Sequence, residues 1–229
     1  MGRRYYGCGL PYVSPAELGG KLLVVEGTDG VGRSTQIRLL QQWIEREGYP
    51  VVTTGWSRSH LVSSSIEAAK SGNMLNHLTY TLLYATDFAD RLENEIIPAL
   101  RSGFVVLADR YIYTALARSA VRGLDKPYLR ELFGIGLVPD LVLYLQIDVD
   151  TLTPRVIESD GLEFWESGMD MHLDGDIFDS FCKYQALLIR EFDAMISEFG
   201  FRVVDARAPV ERIQAQLREI IQPVLIAKG

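Results

Sequence analysis

Gly27-Thr28-Asp29-Gly30-Val31-Gly32-Arg33-Ser34-Thr35 decides how the rest of this chain is read. The apolar run Leu22-Leu23-Val24-Val25 comes before it and reads as a buried strand. Residues 36–47 follow it, and there Ile37, Leu40, Trp43 and Ile44 recur at helical spacing. A glycine-rich turn between a buried strand and a helix fits G-x-x-x-x-G-K-[ST], a phosphate-binding loop. Gly27, Gly30 and Gly32 permit backbone angles that let successive N–H groups, with those of Val31 and Thr35, converge on an anion. The first turn of the helix adds free N–H groups and a positive dipole end. Ser34 stands where a hydroxyl meets Mg²⁺. One position departs from the pattern: Arg33 occupies the place of lysine. Arginine keeps the charge, but it is longer and planar, so the exchange alters the reach and geometry of any phosphate contact.

Outward from this loop, apolar strands alternate with helical patterns. Residues 50–54 form a β-branched strand, and residues 55–60 leave it as a polar loop in which Arg58 is a candidate anion contact. The longest helical pattern covers 79–100, with Leu83, Phe88, Leu92, Ile96 and Leu100 on one face. A buried strand over 104–108 ends in Asp109-Arg110-Tyr111. Charged residues at the mouth of a buried strand are costly unless they are paired or functional. Beside a phosphate loop, Asp109 can hold Mg²⁺ through water and Arg110 can grip a second phosphate. Helices over 114–121 and 128–137, strands over 140–147 and 201–204, and a helix over 210–226 complete the series. The expected fold is α/β: a five-stranded parallel sheet with helices on both faces. Residues 1–20, with Pro11, Pro15 and several tyrosines, read as an irregular strap.

The 229 residues suffice for one sizeable core, and 48% apolar and 23% charged residues are ordinary for a globular chain. A net charge of -7 argues against a general nucleic-acid binder. There is no apolar run long enough for a membrane span and no apolar segment of a secretory signal in residues 1–20. Two cysteines, Cys8 and Cys182, make neither a disulfide framework nor a zinc site, so a reduced, cytoplasmic protein is expected. A GTPase is disfavoured by the lack of an N/T-K-x-D signature.

Three stretches in order, VEGTDGVGRSTQ (25–36), LLYATDFADRLENEIIPALRSGFVVLADRY (82–111) and PDLVLYLQIDVD (139–150), resemble the thymidylate kinase family of P-loop nucleoside monophosphate kinases. The resemblance covers nearly all of residues 21–229, with a lid at about 156–176. It implies a P-loop NTPase fold, nucleotide biosynthesis, and phosphoryl transfer from ATP to a nucleoside monophosphate, dTMP + ATP giving dTDP + ADP. It also implies Mg²⁺ and a homodimer. Arg33 and Ser34 would then serve the ATP phosphates and the metal. Asp29 would lie near the acceptor's sugar hydroxyl, Tyr84 would stack on thymine, Arg110 would hold the acceptor 5′-phosphate, and Asp109 would sit close to the metal.

Several positions depart from that family. Phe88 stands where the family reads the pyrimidine edge with arginine, Arg118 replaces a tyrosine, and only Arg58 could stand in for the usual second-strand exit. Between Arg155 and Lys183 there is no Lys or Arg, and Glu158, Asp160, Glu163, Glu166, Asp170, Asp174, Asp176 and Asp179 fill the gap. The charge-neutralising arginine that such kinases place in the loop or the lid is missing from both. A kinase of a different nucleotide or nucleoside, or a catalytically weakened nucleotide-binding protein, therefore stands beside the dTMP reading.

Overall fold

Alternate residues of the first strand point into two separate hydrophobic layers. Leu22 and Val24 enter one, Leu23 and Val25 the other, and all four are fully buried. A strand covered on both faces needs helices above and below it, and the rest of the chain supplies them. In the computed structural model, which describes residues 3–226 except 58, 73–75 and 160, this strand is β1 (Lys21–Glu26). With β2 (Val51–Gly55), β3 (Val105–Asp109), β4 (Leu141–Gln146) and β5 (Arg202–Asp205) it forms a sheet of order β2-β3-β1-β4-β5. Every pairing is parallel, as expected from the alternation of elements.

Helices α1 (Arg33–Arg46), α7 (Val149–Glu158) and α9 (Val210–Ile226) cover one face through Ile37, Leu40, Leu152 and Leu217. Helices α3 (His77–Arg91), α5 (Ile112–Val121) and α8 (Ile177–Phe199) cover the other through Phe88, Ile112, Leu188 and Phe192. Two shorter helices, α2 (Ser63–Gly72) and α6 (Lys126–Leu132), complete the layers. No helix among the described residues is long and apolar enough to cross a membrane.

Some sequence expectations shift. The long pattern over 79–100 begins at His77 and is one rod interrupted by a π-turn over Leu92–Ile96, followed by α4 (Ile97–Arg101). Pro98 has no N–H to offer Asn94, and the wider turn lets the Ile97 N–H bond the Leu92 carbonyl instead. The helix expected over 128–137 stops at Leu132, because Gly134 and Gly136 carry the chain away from helical geometry. Helices α2, α7 and α8 were not distinguished in the sequence. In α8, Asp176 caps the start by accepting from Phe178 N and Asp179 N, and Gly200 closes the end.

The strap runs under the sheet. Tyr6 N donates to Gly136 O, Gly7 N to Gly134 O and Val138 N to Arg4 O. Arg3 bridges Asp140 at 2.6 Å and donates to Gly20 O, while Asp140 also accepts from Leu22 N. These contacts lie at the N-terminal ends of β1 and β4.

Candidate active site

Because β1 and β3 are neighbours and parallel, Val25 aligns with Asp109, and both strands open on the same edge. The 27–35 loop leaves β1 there, and Asp109-Arg110-Tyr111 leaves β3 beside it. Gly32 caps α1 at φ 92° with nothing near the place a Cβ would take. Its open backbone faces the start of α1, where the orphan N–H groups of the first turn gather. Gly30, at φ 73°, leaves no room: a Cβ would sit 2.2 Å from Val156 of α7. An arginine at position 30 is thus excluded by packing as well as by sequence.

Arg33 turns back beneath its own loop. Its Nη1 donates to Gly27 O at 2.6 Å and Thr28 O at 2.7 Å, and its Nε donates to Asp109 at 2.7 Å. The guanidinium fork makes these bonds simultaneously, which a lysine ammonium on a flexible stem would not hold in the same geometry. Ser34 and Asp109 both line a cavity of about 200 Å³, with Thr53 and Thr54 opposite. A hydroxyl and a carboxylate facing one polar cavity next to a phosphate cradle are the hard oxygen donors that suit Mg²⁺.

On the other side of the loop, Asp29 holds two guanidinium groups at once, those of Arg110 and Arg118. Arg110 sits at φ 68°, a conformation that strains a non-glycine residue and that marks functional turns. Its backbone N–H is anchored on Val25 O at 3.0 Å, while its buried Nε finds no hydrogen-bond partner among the described residues. Burial first, and then the Arg118 charge, lowers the Arg110 guanidinium to about 9. Two guanidinium groups share one carboxylate and the Arg110 Nε is left as an open donor, with the Glu166 carboxylate the other negative charge acting on both.

Glu26, the last residue of β1, escaped notice in the sequence because it reads as a strand end. It is fully buried and accepts from Tyr111 N at 2.7 Å, Thr114 N at 3.4 Å and Thr114 Oγ1 at 2.6 Å. It thereby ties the start of α5 to the root of the loop. Burial raises its carboxyl from 4.5 to about 7. With the folded value above the unfolded one, the native state keeps a proton that the unfolded chain has lost, so stability falls as pH rises from 4.5 to about 7. Glu26→Gln stays neutral and should remove on the order of 3 kcal/mol of that fall. Urea midpoints at about pH 5 and about pH 8 measure it, and an unchanged slope would relieve Glu26 of this role.

The expected base site contains a surprise. Tyr84 lines a small cavity with Tyr80, Thr81, Thr114, Ala115, Arg118 and Ser119. Phe88 does not join it. Its ring has no exposed surface and packs against Trp56, Tyr111 and Phe133, so its assignment as a substrate contact gives way to a core role. Trp56, from the loop after β2, lies with its ring centroid 5.1 Å from that of Tyr84 and backs it, a contact that the sequence reading missed. Arg91 is also fully buried, paired with Asp87 at 3.0 Å and set 5.0 Å over the Trp56 ring. Asp87 in turn accepts from Ser57 N and Ser59 N, fixing that loop. Arg58 lies outside the described residues.

A model of the thymidylate kinase family matches residues 25–217. The chain belongs to the thymidylate kinase family. The family's span includes the loop, the β3 exit, the aromatic cavity and the start of α9. A probable thymidylate kinase 2 of Saccharolobus solfataricus is 35% identical over 204 residues, covering 88% of this chain and 95% of its own. A thymidylate kinase of Clavibacter michiganensis is 36% identical over 217 residues, covering 92% and 98% respectively. A probable thymidylate kinase of Thermococcus onnurineus is 30% identical over 216 residues, covering 90% and 99%.

Proposed function

We propose that this thymidylate kinase family member transfers the γ-phosphoryl group of ATP to the 5′-phosphate of dTMP, giving dTDP and ADP. The observation that carries this reading is the shared carboxylate of Asp29. It sits inside the donor loop, yet it holds both Arg110 and Arg118, and the open Nε and depressed guanidinium of Arg110 favour an anion site beside that loop. A cradle for one phosphate chain and a grip for a second phosphate thus meet at one mouth.

The chain's own residues divide the work. N–H groups of Gly27, Gly30, Val31, Gly32, Arg33, Ser34 and Thr35 bind and orient the donor phosphates. Arg110 and Arg118 release Asp29 to grip the acceptor phosphate, leaving Asp29 to accept from a sugar hydroxyl. Tyr84, with Trp56 behind it, stacks on the base. Ser34 and Asp109 would hold Mg²⁺, which when bound neutralises charge between the β- and γ-phosphates. An acceptor phosphate oxygen then attacks the γ-phosphorus in line as the bond to the β-bridging oxygen breaks. No covalent step through the protein is needed, so positioning and charge do the catalysis. In this reading the enzyme works in the cytoplasm as a homodimer. Leu78 and Leu82, exposed one turn apart on α3, offer apolar surface for the partner.

The engagement of Arg33 with Asp109 favours a second reading, a weakened enzyme that binds nucleotide without fast turnover. ADP release from Mg-ATP across a panel of nucleoside monophosphates and nucleosides separates the two. Turnover led by dTMP supports the first reading. Another preferred acceptor keeps the chemistry and replaces the substrate. Tight ATP binding by calorimetry with no turnover on any acceptor establishes the second.

A further inference from the structure

The acidic segment between α7 and α8, expected as a lid, is fastened beside the aromatic cavity. Arg122, at the end of α5, donates through Nε and Nη2 to both oxygens of Asp170, at 2.7 and 3.0 Å, and through Nη2 to Trp165 O at 3.1 Å. His77, at the start of α3, approaches Asp170 at 3.3 Å. From the opposite side, Ser180 donates to Ser167 O at 2.7 Å and Gln185 to Glu166 O at 2.9 Å, both from α8. The backbone from Trp165 to Ser167 is therefore clamped between Arg122 and α8.

What the clamp delivers is one ring. Trp165 lies face to face with Tyr80, with centroids 5.2 Å apart and planes 4° from parallel. Tyr80 is a wall of the acceptor cavity, and its hydroxyl donates to that of Tyr84 at 3.0 Å. That cavity holds only about 20 Å³, room for little more than a water molecule. An acceptor base must therefore enter by displacing Tyr80 and Tyr84, and the distance Tyr80 can yield is set by the ring behind it.

Resting on the functional reading above, we propose that Trp165, held by Arg122 and Asp170, is the positioning residue that sets the size of the acceptor base. The backed Tyr80 yields enough for a single pyrimidine ring and resists a purine. The segment serves acceptor choice, and its lack of Lys and Arg is compatible with that duty, since the base it confines carries no charge.

The test is steady-state kinetics of the full chain with dTMP and with dGMP, at varied ATP, for the wild type, Trp165→Ala, Trp165→Phe and Asp170→Asn. Trp165→Ala should lower the preference for dTMP over dGMP by roughly five- to tenfold, the scale of one lost aromatic stack. The change should appear in the acceptor KM, with the KM for ATP unmoved. Trp165→Phe should keep most of the preference, and Asp170→Asn should lose part of it. A rise in the KM for ATP with acceptor preference intact would assign the segment to the donor and overturn the proposal. So would a fall in melting temperature with unaltered preference, which would make Trp165 purely structural. A wild type that neither binds nor phosphorylates dTMP would overturn the functional reading and this inference with it.

Discussion

Arg33→Ala is expected to lower kcat by about a thousandfold or more, the scale on which a lost phosphate-gripping cation acts in phosphoryl transfer. Two losses combine there. The loop loses the bonds that draw its Gly27 and Thr28 carbonyls inward, and the phosphate loop loses its own cationic side chain. Asp109, freed of its 2.7 Å partner, is left facing the phosphates with uncompensated charge. Arg33→Lys separates these effects. Its ammonium can reach the carbonyls or a phosphate, but it lacks the Nε–H that engages Asp109 from the side. If the arginine serves chiefly as a phosphate cation, the lysine variant should keep turnover within about tenfold of the wild type or raise it. Stopped-flow measurement of ADP formation, with melting curves as a folding control, reads both. Equal activity in all three proteins would leave Arg33 as a latch on the loop with no part in the chemistry.

Asp29→Ala should be the most destabilising single change at the mouth. It leaves Arg110 and Arg118 side by side with their shared carboxylate gone. Removing one partner of a largely buried ion pair costs about 3 kcal/mol or more, since the remaining charges stay desolvated and here also repel. The loss should be reversible by an anion. Inorganic phosphate at about a hundred times its dissociation constant returns about 2.7 kcal/mol to any state that binds it. The variant should therefore gain more from phosphate in urea melts than the wild type, in which Asp29 competes for the same guanidinium groups. A variant that phosphate does not favour over the wild type would mean that the two arginines are not an anion site. Dimer formation, if it couples to folding, would make both melts concentration-dependent, so they belong at one protein concentration.

The fold was legible because its signals were local. Leu22 to Val25, the glycine turn and the periodic helix after it are short-range patterns with one physical reading, and the apolar strands and periodic helices recur later in the chain. The same locality explains what was hidden. Glu26 reads as an ordinary strand end, and only the arrival of α5 from 85 residues away makes it a buried carboxylate with three donors. Phe88 and Tyr84 are one helical turn apart and look equivalent in sequence. Only the tertiary neighbours separate them: Phe88 is enclosed by Trp56, Tyr111 and Phe133, whereas Tyr84 lines the cavity. The acidic segment could be seen to lack Lys and Arg, but its direction depends on Arg122, which no motif singles out. Charges at Asp29, Arg110 and Arg118 were each visible, whereas their meeting on one carboxylate was not.

The strap fastened at the N-terminal ends of β1 and β4 gives this enzyme two ends with separate duties. The proposed site lies at the opposite edge of a sheet whose strands, at about 3.3 Å per residue, place the two edges roughly 20 Å apart. Tyr6, reaching Tyr113 with its hydroxyl, and Arg3, seated on Asp140, strengthen the floor without touching any group at the mouth. Substitutions at Arg3 or Tyr6 should accordingly lower the melting temperature while rate and acceptor choice stay put. Lineages living at different temperatures could retune the floor alone and inherit the catalytic edge unchanged.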